Sequence, residues 1–199
     1  DDTKALVILD IATNFLGVYP TADKSVDSVT YAMVHFRGQS TQRIKRVYSD
    51  LAPELIAACR ELGIPHDPSK AGVPQTRGLV ESMVKKVQYG VRCLLEGAGL
   101  PTSFWSLAAE RYAHATNIRT KNGTSPWLER HSRHFNGHVI PFGAAVTYLP
   151  ASTTKEYSSL TKAESPGVPG IFLGYQLLNG CHWKGGYRVA PLDGLLDVC

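Results

Sequence analysis

The sequence lacks a continuous apolar stretch long enough to cross a membrane. Such a span needs about 18 or more consecutive apolar residues, whereas the hydrophobic 43% of this 199-residue chain is broken up by polar residues throughout. We therefore expect no transmembrane helix and no membrane partner. The chain begins at Asp1 with neither methionine nor a basic-then-apolar leader, so no signal peptide is predicted. Because it starts almost directly on a predicted strand, we expect a fragment of a longer protein.

The sequence also lacks the patterns that mark zinc modules and nucleotide hydrolases. No Cys-x-x-Cys pair occurs among its four cysteines, so we predict reduced structural thiols in an intracellular protein. These cysteines are Cys59, Cys93, Cys181 and Cys199. No glycine-rich phosphate loop is present, so nucleotide hydrolysis is not expected. The formal charge of +4 permits a polyanionic partner without demonstrating one.

The first 128 residues alternate between strand and helix signals. An apolar run at residues 5–9 predicts a strand buried on both faces, and residues 15–19 predict a second strand antiparallel to it. Residues 25–36 predict an amphipathic helix that Gly38 ends. Further signals are a strand at 46–50, a helix at 53–62, a short strand at 64–66, a helix from 78 to 97 and another from 100 to about 117. This order predicts a mixed α/β domain.

The chain changes character after Trp127. Residues 129–138 are polar and rich in histidine and arginine, which predicts a linker. Short strand signals follow at residues 144–149, 170–175 and 187–190, separated by glycine, proline and a long connection over residues 150–169. We therefore predict a separate small β unit at residues 139–199.

Three acids stand where predicted strands end or a predicted helix begins. Asp10 and Asp50 each close a strand, and Glu81 lies in the first turn of the helix expected to begin at Gly78. A carboxylate at the end of a buried strand needs a partner or a metal ion. Carboxylates that hold two Mg²⁺ ions about 4 Å apart can support phosphoryl transfer. However, 17 acids offer many triples, so spacing alone favours ordinary surface acids.

Longer segments carry a more specific signal. The segments VYSD at residues 47–50, LGI at 62–64 and PQTRGLVE at 74–81 resemble the catalytic core of retroviral and retrotransposon integrases. The segments LPTSFW at 100–105, TSPW at 124–127, FG at 142–143 and GIFLGY at 170–175 resemble the copia-type branch. These matches follow the family's order over most of the chain.

The resemblance implies a fold, a reaction and partners. It implies an α/β, ribonuclease-H-like mixed sheet flanked by helices at residues 1–128, followed by a small SH3-like β unit at residues 139–199. It also implies a metal-dependent integrase that trims retrotransposon DNA 3′ ends and joins them to target DNA. The family's Asp-Asp-Glu triad falls on Asp10, Asp50 and Glu81, which would hold Mg²⁺ or Mn²⁺. Implied partners are element ends, target DNA and, in a homo-oligomer, further copies of the chain, acting in the nucleus.

Cations near the triad are candidates for DNA contacts. Lys85 lies four residues after Glu81 and shares its helix face, so it either meets a DNA phosphate, as the resemblance favours, or forms an ion pair with Glu81. Phosphate binding needs charge more than sequence. The other candidates near the triad are Lys70, Gln75, Arg77 and Lys86.

Several other residues are assigned structural roles. His131, His134 and His138 have no paired cysteines and no fourth ligand nearby, so a polar loop is favoured over a metal site. Trp105 and Trp127 are expected to anchor the core rather than to stack on bases.

Three departures from the family pattern keep alternatives open. The family has Asn-Gly or a close variant after the second acid, where this chain has Leu51 and Ala52 and lacks the glycine that permits a sharp turn. Arg77 stands in place of asparagine, and Ser82 in place of arginine. One alternative is a degenerate copy that binds nucleic acid or a protein without catalysis. Another is a ribonuclease-H-like nuclease, which would usually need a fourth acid or a histidine.

Overall fold

The computed structural model describes residues 2–38, 44–68, 74–150 and 167–192. Strands and helices alternate in its first half, and strands dominate its end, which confirms a mixed α/β architecture. The elements are β1 (Lys4–Leu9), β2 (Leu16–Thr21), α1 (Val26–Arg37), β3 (Val47–Ser49), α2 (Pro53–Glu61), β4 (His66–Pro68), α3 (Pro74–Ala98), α4 (Trp105–Ile118), α5 (Pro126–His131), β5 (Ala145–Tyr148), β6 (Val168–Leu178) and β7 (His182–Pro191). Short 3-10 turns at Thr102–Phe104 and Asn179–Cys181 precede α4 and β7.

The β1–β2 hairpin is antiparallel, as predicted, with Leu9 opposite Leu16. The expectation that β1 is buried on both faces is wrong. In the described part of the chain β1 pairs with β2 alone, and its residues are exposed or half-buried. The first half of β2 is buried instead, because Leu16 and Val18 pack against α3 and α4. The side-chain amide of Asn117 on α4 also holds it: Oδ1 accepts from Leu16 N at 2.8 Å, and Nδ2 donates to Leu16 O at 2.7 Å.

Helix α1 matches its sequence signals at both ends. The Ser25 side chain caps it by accepting a hydrogen bond from Ser28 N at 3.2 Å. Gly38 ends it with a φ of 70°, a conformation that favours glycine. The buried face packs against α2 and Ile64, so the first half has a core of its own.

Helix α3 begins earlier than its sequence pattern predicts. It starts at Pro74 rather than at Gly78, because proline is well suited to the first position of a helix and Gly78 is accommodated inside it. Glu81 therefore lies about two turns into the helix, not in its first turn. The short strand predicted at residues 64–66 is shifted to β4, which pairs with β3 in parallel.

The predicted linker begins in a helix. Residues 129–131 belong to α5, so the expectation of a loop is wrong for them. Ser125 provides the reason: its hydroxyl accepts from Leu128 N at 3.1 Å and so caps a short helix that Pro126 opens. Ser132, with a φ of 53°, ends it.

The predicted strands of the C-terminal part form one antiparallel sheet in the order β5-β6-β7. Its inner face joins α3 and α4 in a cluster of buried apolar side chains: Leu95, Ala108, Phe142, Ile171 and Leu173. The division into residues 1–128, 129–138 and 139–199 stays a prediction, as does the SH3-like topology. No helix within the described ranges is long and apolar enough to span a membrane.

Candidate functional site

Asp10 directly follows β1, and its carboxylate already accepts hydrogen bonds from its own loop. Oδ1 accepts from the backbone N–H of Ala12 at 3.0 Å, and Oδ2 accepts from the Thr13 hydroxyl at 2.7 Å. The Asp10 side chain is 30% exposed. The end of β1 thus presents a half-buried carboxylate with one hydrogen bond on each oxygen.

Arg130, at the end of α5, is the countercharge of Asp10. Its Nη1 lies 3.7 Å from Asp10 Oδ2, and its side chain is only 11% exposed. The guanidinium lies over two adjacent aromatic rings, 4.3 Å from the ring centre of Phe36 and 4.7 Å from that of Phe15. Its Nη2 also donates to the carbonyl oxygen of Phe36. Arg130 is missing from the candidates chosen from the sequence, because no local spacing pairs residues so far apart.

Asp50 directly follows β3 and is exposed. The Ser49 hydroxyl donates to the Asp50 carbonyl oxygen at 2.9 Å and lies 2.7 Å from Nε2 of His66 on β4. Leu51 comes next and is 67% exposed. The backbone before Asp50 is therefore held by a hydrogen-bonded pair of strands, and the chain after it runs along the surface.

Glu81 is exposed on α3 and lines an open surface groove of about 540 Å³ between α3 and α4. Lys85, Lys86, Tyr89 and Tyr112 line the same groove. The ion pairs among the described residues are Arg46–Asp67, Asp10–Arg130 and Glu110–Arg188. The alternative of a Glu81–Lys85 ion pair is therefore not observed, and Lys85 is left exposed on the groove.

The remaining DNA-contact candidates are only partly described. Lys86 is exposed on the same groove as Lys85. Gln75 and Arg77 lie in the first turns of α3, but their side chains are outside the described part, and Lys70 is outside the described residues altogether. The DNA-contact roles of all these residues stay predictions.

The described arrangement does not fit a bound divalent metal. Within residues 2–38, 44–68, 74–150 and 167–192, no three His, Cys, Asp or Glu side chains are grouped so that they could hold one. The Asp10 carboxylate, moreover, accepts from Ala12 and Thr13 and faces the Arg130 guanidinium. The metal-ligand roles of Asp10, Asp50 and Glu81 accordingly stay predictions.

Two of the predicted loop histidines are exposed, whereas His131, on α5, is half-buried against aromatic rings. Its ring centre lies 4.4 Å from that of Trp127 and 4.6 Å from that of His182. Burial, and then the neighbouring His182, lower the pKa of His131 to about 4. His131 is thus a neutral packing residue, and Trp127, 2% exposed, is the core anchor that was predicted.

Three of the four cysteines lie within the described residues, and none of the three is in a disulfide there. Cys59 and Cys181 are buried and free, and Cys93 is exposed and free. Burial raises the pKa of the Cys181 thiol, which lies 3.5 Å from the Tyr19 hydroxyl. Cys199 lies outside the described residues.

The chain is similar in sequence to one curated polyprotein, the retrovirus-related Pol polyprotein from transposon TNT 1-94 of Nicotiana tabacum. The two are 27% identical over an alignment of 186 positions that covers 85% of this chain. This chain spans 13% of that polyprotein's length. No family model matches the chain. In structure it is similar to the catalytic core domain of BIV integrase, with a TM-score of 0.49 and 17% identity over 64% of this chain and 88% of that one. The predicted resemblance to a retrotransposon Pol polyprotein is confirmed by the sequence similarity.

Proposed function

We propose that this chain is the integrase region of a retrotransposon Pol polyprotein and that it acts on DNA as a polynucleotidyl transferase. The observation that carries the proposal is the similarity to the TNT 1-94 Pol polyprotein over 85% of the chain. The positions of the predicted triad support it, since Asp10 and Asp50 directly follow strands and Glu81 faces an open groove.

The proposal includes the architecture of that region. Residues 1–128 are assigned a ribonuclease-H-like fold, supported by the antiparallel β1–β2 hairpin and the parallel β3–β4 pair. Residues 139–199 are assigned an SH3-like unit, supported by the antiparallel order β5-β6-β7. Residues 129–138 connect the two.

The groove on α3 is the proposed contact with DNA. Lys85 and Lys86 are both exposed there, and neither forms an ion pair with any described residue. Flexible ammonium groups of this kind neutralise phosphates at any DNA sequence. Tyr89, 70% exposed, lies one turn after Lys85 and offers a ring on which an unpaired base can stack. The groove therefore suits a DNA end whose strands have begun to separate.

Compartment and assembly follow from the same proposal. Joining element DNA to target DNA requires an intracellular protein that works in the nucleus, and free Cys59 and Cys181 suit a reducing compartment. Two element ends must be handled in one reaction, so the active form is proposed to be a homo-oligomer.

A second candidate function is DNA binding without strand transfer. It is favoured by one observation, the engagement of Asp10 with Thr13 and Arg130. The lysines of the groove do not depend on that engagement, so DNA binding would persist in a catalytically degenerate copy.

DNA binding is tested by fluorescence anisotropy with a short labelled duplex over a range of salt concentrations. The variant Lys85→Ala/Lys86→Ala is compared with the control Lys121→Ala/Lys184→Ala, which removes two exposed lysines elsewhere. We expect the slope of log K against log[salt] to fall by about 2 in the first variant, because each lost phosphate contact removes about 1. The control should keep the wild-type slope. Equal slopes in all three proteins would refute the proposal that the groove on α3 contacts DNA.

Strand transfer is tested by joining a labelled DNA end to a plasmid in Mg²⁺ or Mn²⁺. Glu81→Gln preserves the side chain's size and removes its charge. Joining by the wild type that disappears in Glu81→Gln would support the transferase. DNA binding without joining would leave the second candidate, and the absence of both would refute the two together.

A further inference from the structure

Several contacts hold the side chain of Arg130 beside Asp10. The rings of Phe15 and Phe36 both contact its guanidinium, and the Phe36 carbonyl oxygen accepts from Nη2. Its side chain is 11% exposed, and the acid it pairs with is Asp10, at 3.7 Å. A buried guanidinium requires a counterion. The pair is therefore part of the packing between α5 and the end of β1.

We propose that Arg130 is an internal cation that keeps divalent metal ions off Asp10. The inference rests on the proposed function and favours its second candidate, DNA binding without strand transfer, because Asp10 is the acid that an integrase of this kind would use. In the described arrangement the charge of Asp10 is balanced from inside the protein. The carboxylate therefore pairs with Arg130 in preference to binding a metal ion.

The first physical reason is electrostatic repulsion. A fixed positive charge within 4 Å of a carboxylate oxygen opposes the arrival of a second cation at the same group, most strongly where water is excluded. An arginine side chain stays protonated in proteins and cannot relieve this by losing its charge. The repulsion is therefore permanent as long as Arg130 stays in place.

The second reason is that Arg130 cannot easily swing away. Withdrawing it from Asp10 would leave a buried charge without its partner, which is strongly unfavourable. It would also break the two ring contacts and the bond to Phe36. Trp127, one helical turn earlier on α5, is buried in the same aromatic cluster. Freeing Asp10 thus requires the loss of these contacts of the Arg130 side chain.

The third reason is the state of the carboxylate itself. Each of its oxygens already accepts a hydrogen bond, from Ala12 N and from the Thr13 hydroxyl. Mg²⁺ requires a nearly ideal octahedron of oxygens at close range. A carboxylate that already accepts two hydrogen bonds and faces an arginine is poorly placed to provide oxygen ligands of this kind.

The test is Mn²⁺ binding to the 199-residue chain, followed by electron paramagnetic resonance of the free ion. Arg130→Met removes the charge but keeps an extended apolar side chain against the two rings. We expect it to bind Mn²⁺ about tenfold or more tightly than the wild type. Arg130→Lys keeps the charge and should stay close to the wild type. Adding Asp10→Asn to Arg130→Met should abolish the gain in Mn²⁺ affinity.

The opposite result would overturn the inference. If Arg130→Met binds Mn²⁺ as weakly as the wild type, or more weakly, Arg130 does not exclude the ion. A second measurement covers the case in which this variant does not fold. In the wild-type chain, Mn²⁺ should broaden the amide signals of Ala12 and Thr13 no more than it does in Asp10→Asn. Selective broadening in the wild type would show a bound ion at Asp10 and would equally overturn the inference.

The outcomes separate this inference from the proposed function. A tenfold gain in Mn²⁺ affinity in Arg130→Met, together with no DNA binding by any variant, would support the proposed role of the ion pair and refute the proposed function. DNA joining by the wild type, together with no gain in Arg130→Met, would refute the ion pair's role and uphold the function.

Discussion

The Ser49 hydroxyl lies 2.7 Å from Nε2 of His66 and donates its proton to the carbonyl oxygen of Asp50 at 2.9 Å. The tautomer of the His66 imidazole decides which of the two groups donates in the second contact. Ser49 ends β3 and His66 begins β4. The bond thus fixes the two parallel strands to each other at the point where the chain reaches Asp50.

We predict that His66→Ala and Ser49→Ala each lower the free energy of unfolding by about 1 kcal/mol, the usual contribution of one such bond. The double variant should cost less than the two singles together, because they remove the same interaction. Urea unfolding measures all three. The control is Arg46→Ala, which breaks the exposed Arg46–Asp67 pair between the same strands and should cost below about 1 kcal/mol. If the stability losses of His66→Ala and Ser49→Ala added up fully in the double variant, the prediction would be contradicted.

Local patterns predict where Asp10 and Asp50 stand, because each acid closes a run of strand-forming residues. They do not predict what each acid contacts. The partner of Asp10 is Arg130, on a helix that the sequence pattern assigns partly to a linker. Composition shows only that residues 129–138 are polar. Whether one of their charges turns inward depends on tertiary packing against Phe15 and Phe36.

Two of the errors in the fold have local causes. An apolar run such as residues 5–9 signals a strand, but it does not show how many strands flank it, and β1 has one partner among the described strands. The start of α3 is predicted too late because Gly78 suggests a loop, whereas a long helix tolerates an internal glycine at a cost of about 1 kcal/mol. Pro74 was the better signal of the start.

Gly90, inside α3, lies directly against Tyr112 on α4. A Cβ at this position would come within 2.1 Å of Cδ2 and Cε2 of the tyrosine ring. Gly90→Ala should therefore lower the free energy of unfolding by about 1–3 kcal/mol, because overpacking exceeds the gain in helix propensity. Gly97→Ala is the matched control on the same helix, where nothing described lies within 4 Å, and it should stabilise by up to about 1 kcal/mol. Equal urea midpoints for the two variants would refute the close contact.

The Tyr175 hydroxyl fastens the chain before β5 to β6. It donates to the carbonyl oxygen of His138 at 2.6 Å and accepts from Ile140 N at 3.2 Å. We predict that Tyr175→Phe lowers the free energy of unfolding by about 1–2 kcal/mol, because it leaves both backbone groups unpaired. Tyr187→Phe removes only a longer contact, 3.4 Å from His138 N, at a more exposed site, and should cost less. Chemical unfolding of the two variants side by side measures both costs. A larger loss of stability in Tyr187→Phe than in Tyr175→Phe would contradict the prediction.

His114 is a buried imidazole packed for its neutral form. Its ring stacks on Tyr175 with 4.1 Å between ring centres, and neither nitrogen has a hydrogen-bond partner among the described residues. Burial, and then the nearby Arg111 guanidinium, lower the pKa of His114 to about 3. In the unfolded chain a histidine has a pKa of about 6.5. Between these two values the unfolded state binds a proton that the folded state does not.

Stability should consequently fall as the pH drops below about 6.5, with His114 contributing on the order of 1.4 kcal/mol per pH unit until its folded-state pKa is approached. His114→Phe keeps an aromatic ring and removes the titration, so its stability should fall less steeply between pH 6.5 and pH 4.5. The lowered pKa values of His35, His131 and His182 leave a residual slope in the same direction. Urea unfolding at pH 7.5, where His114 is neutral in both states, gives the packing cost of the substitution, and that offset is subtracted at each lower pH. Parallel curves for the wild type and the variant would mean that His114 is protonated in the folded protein as readily as in the unfolded chain.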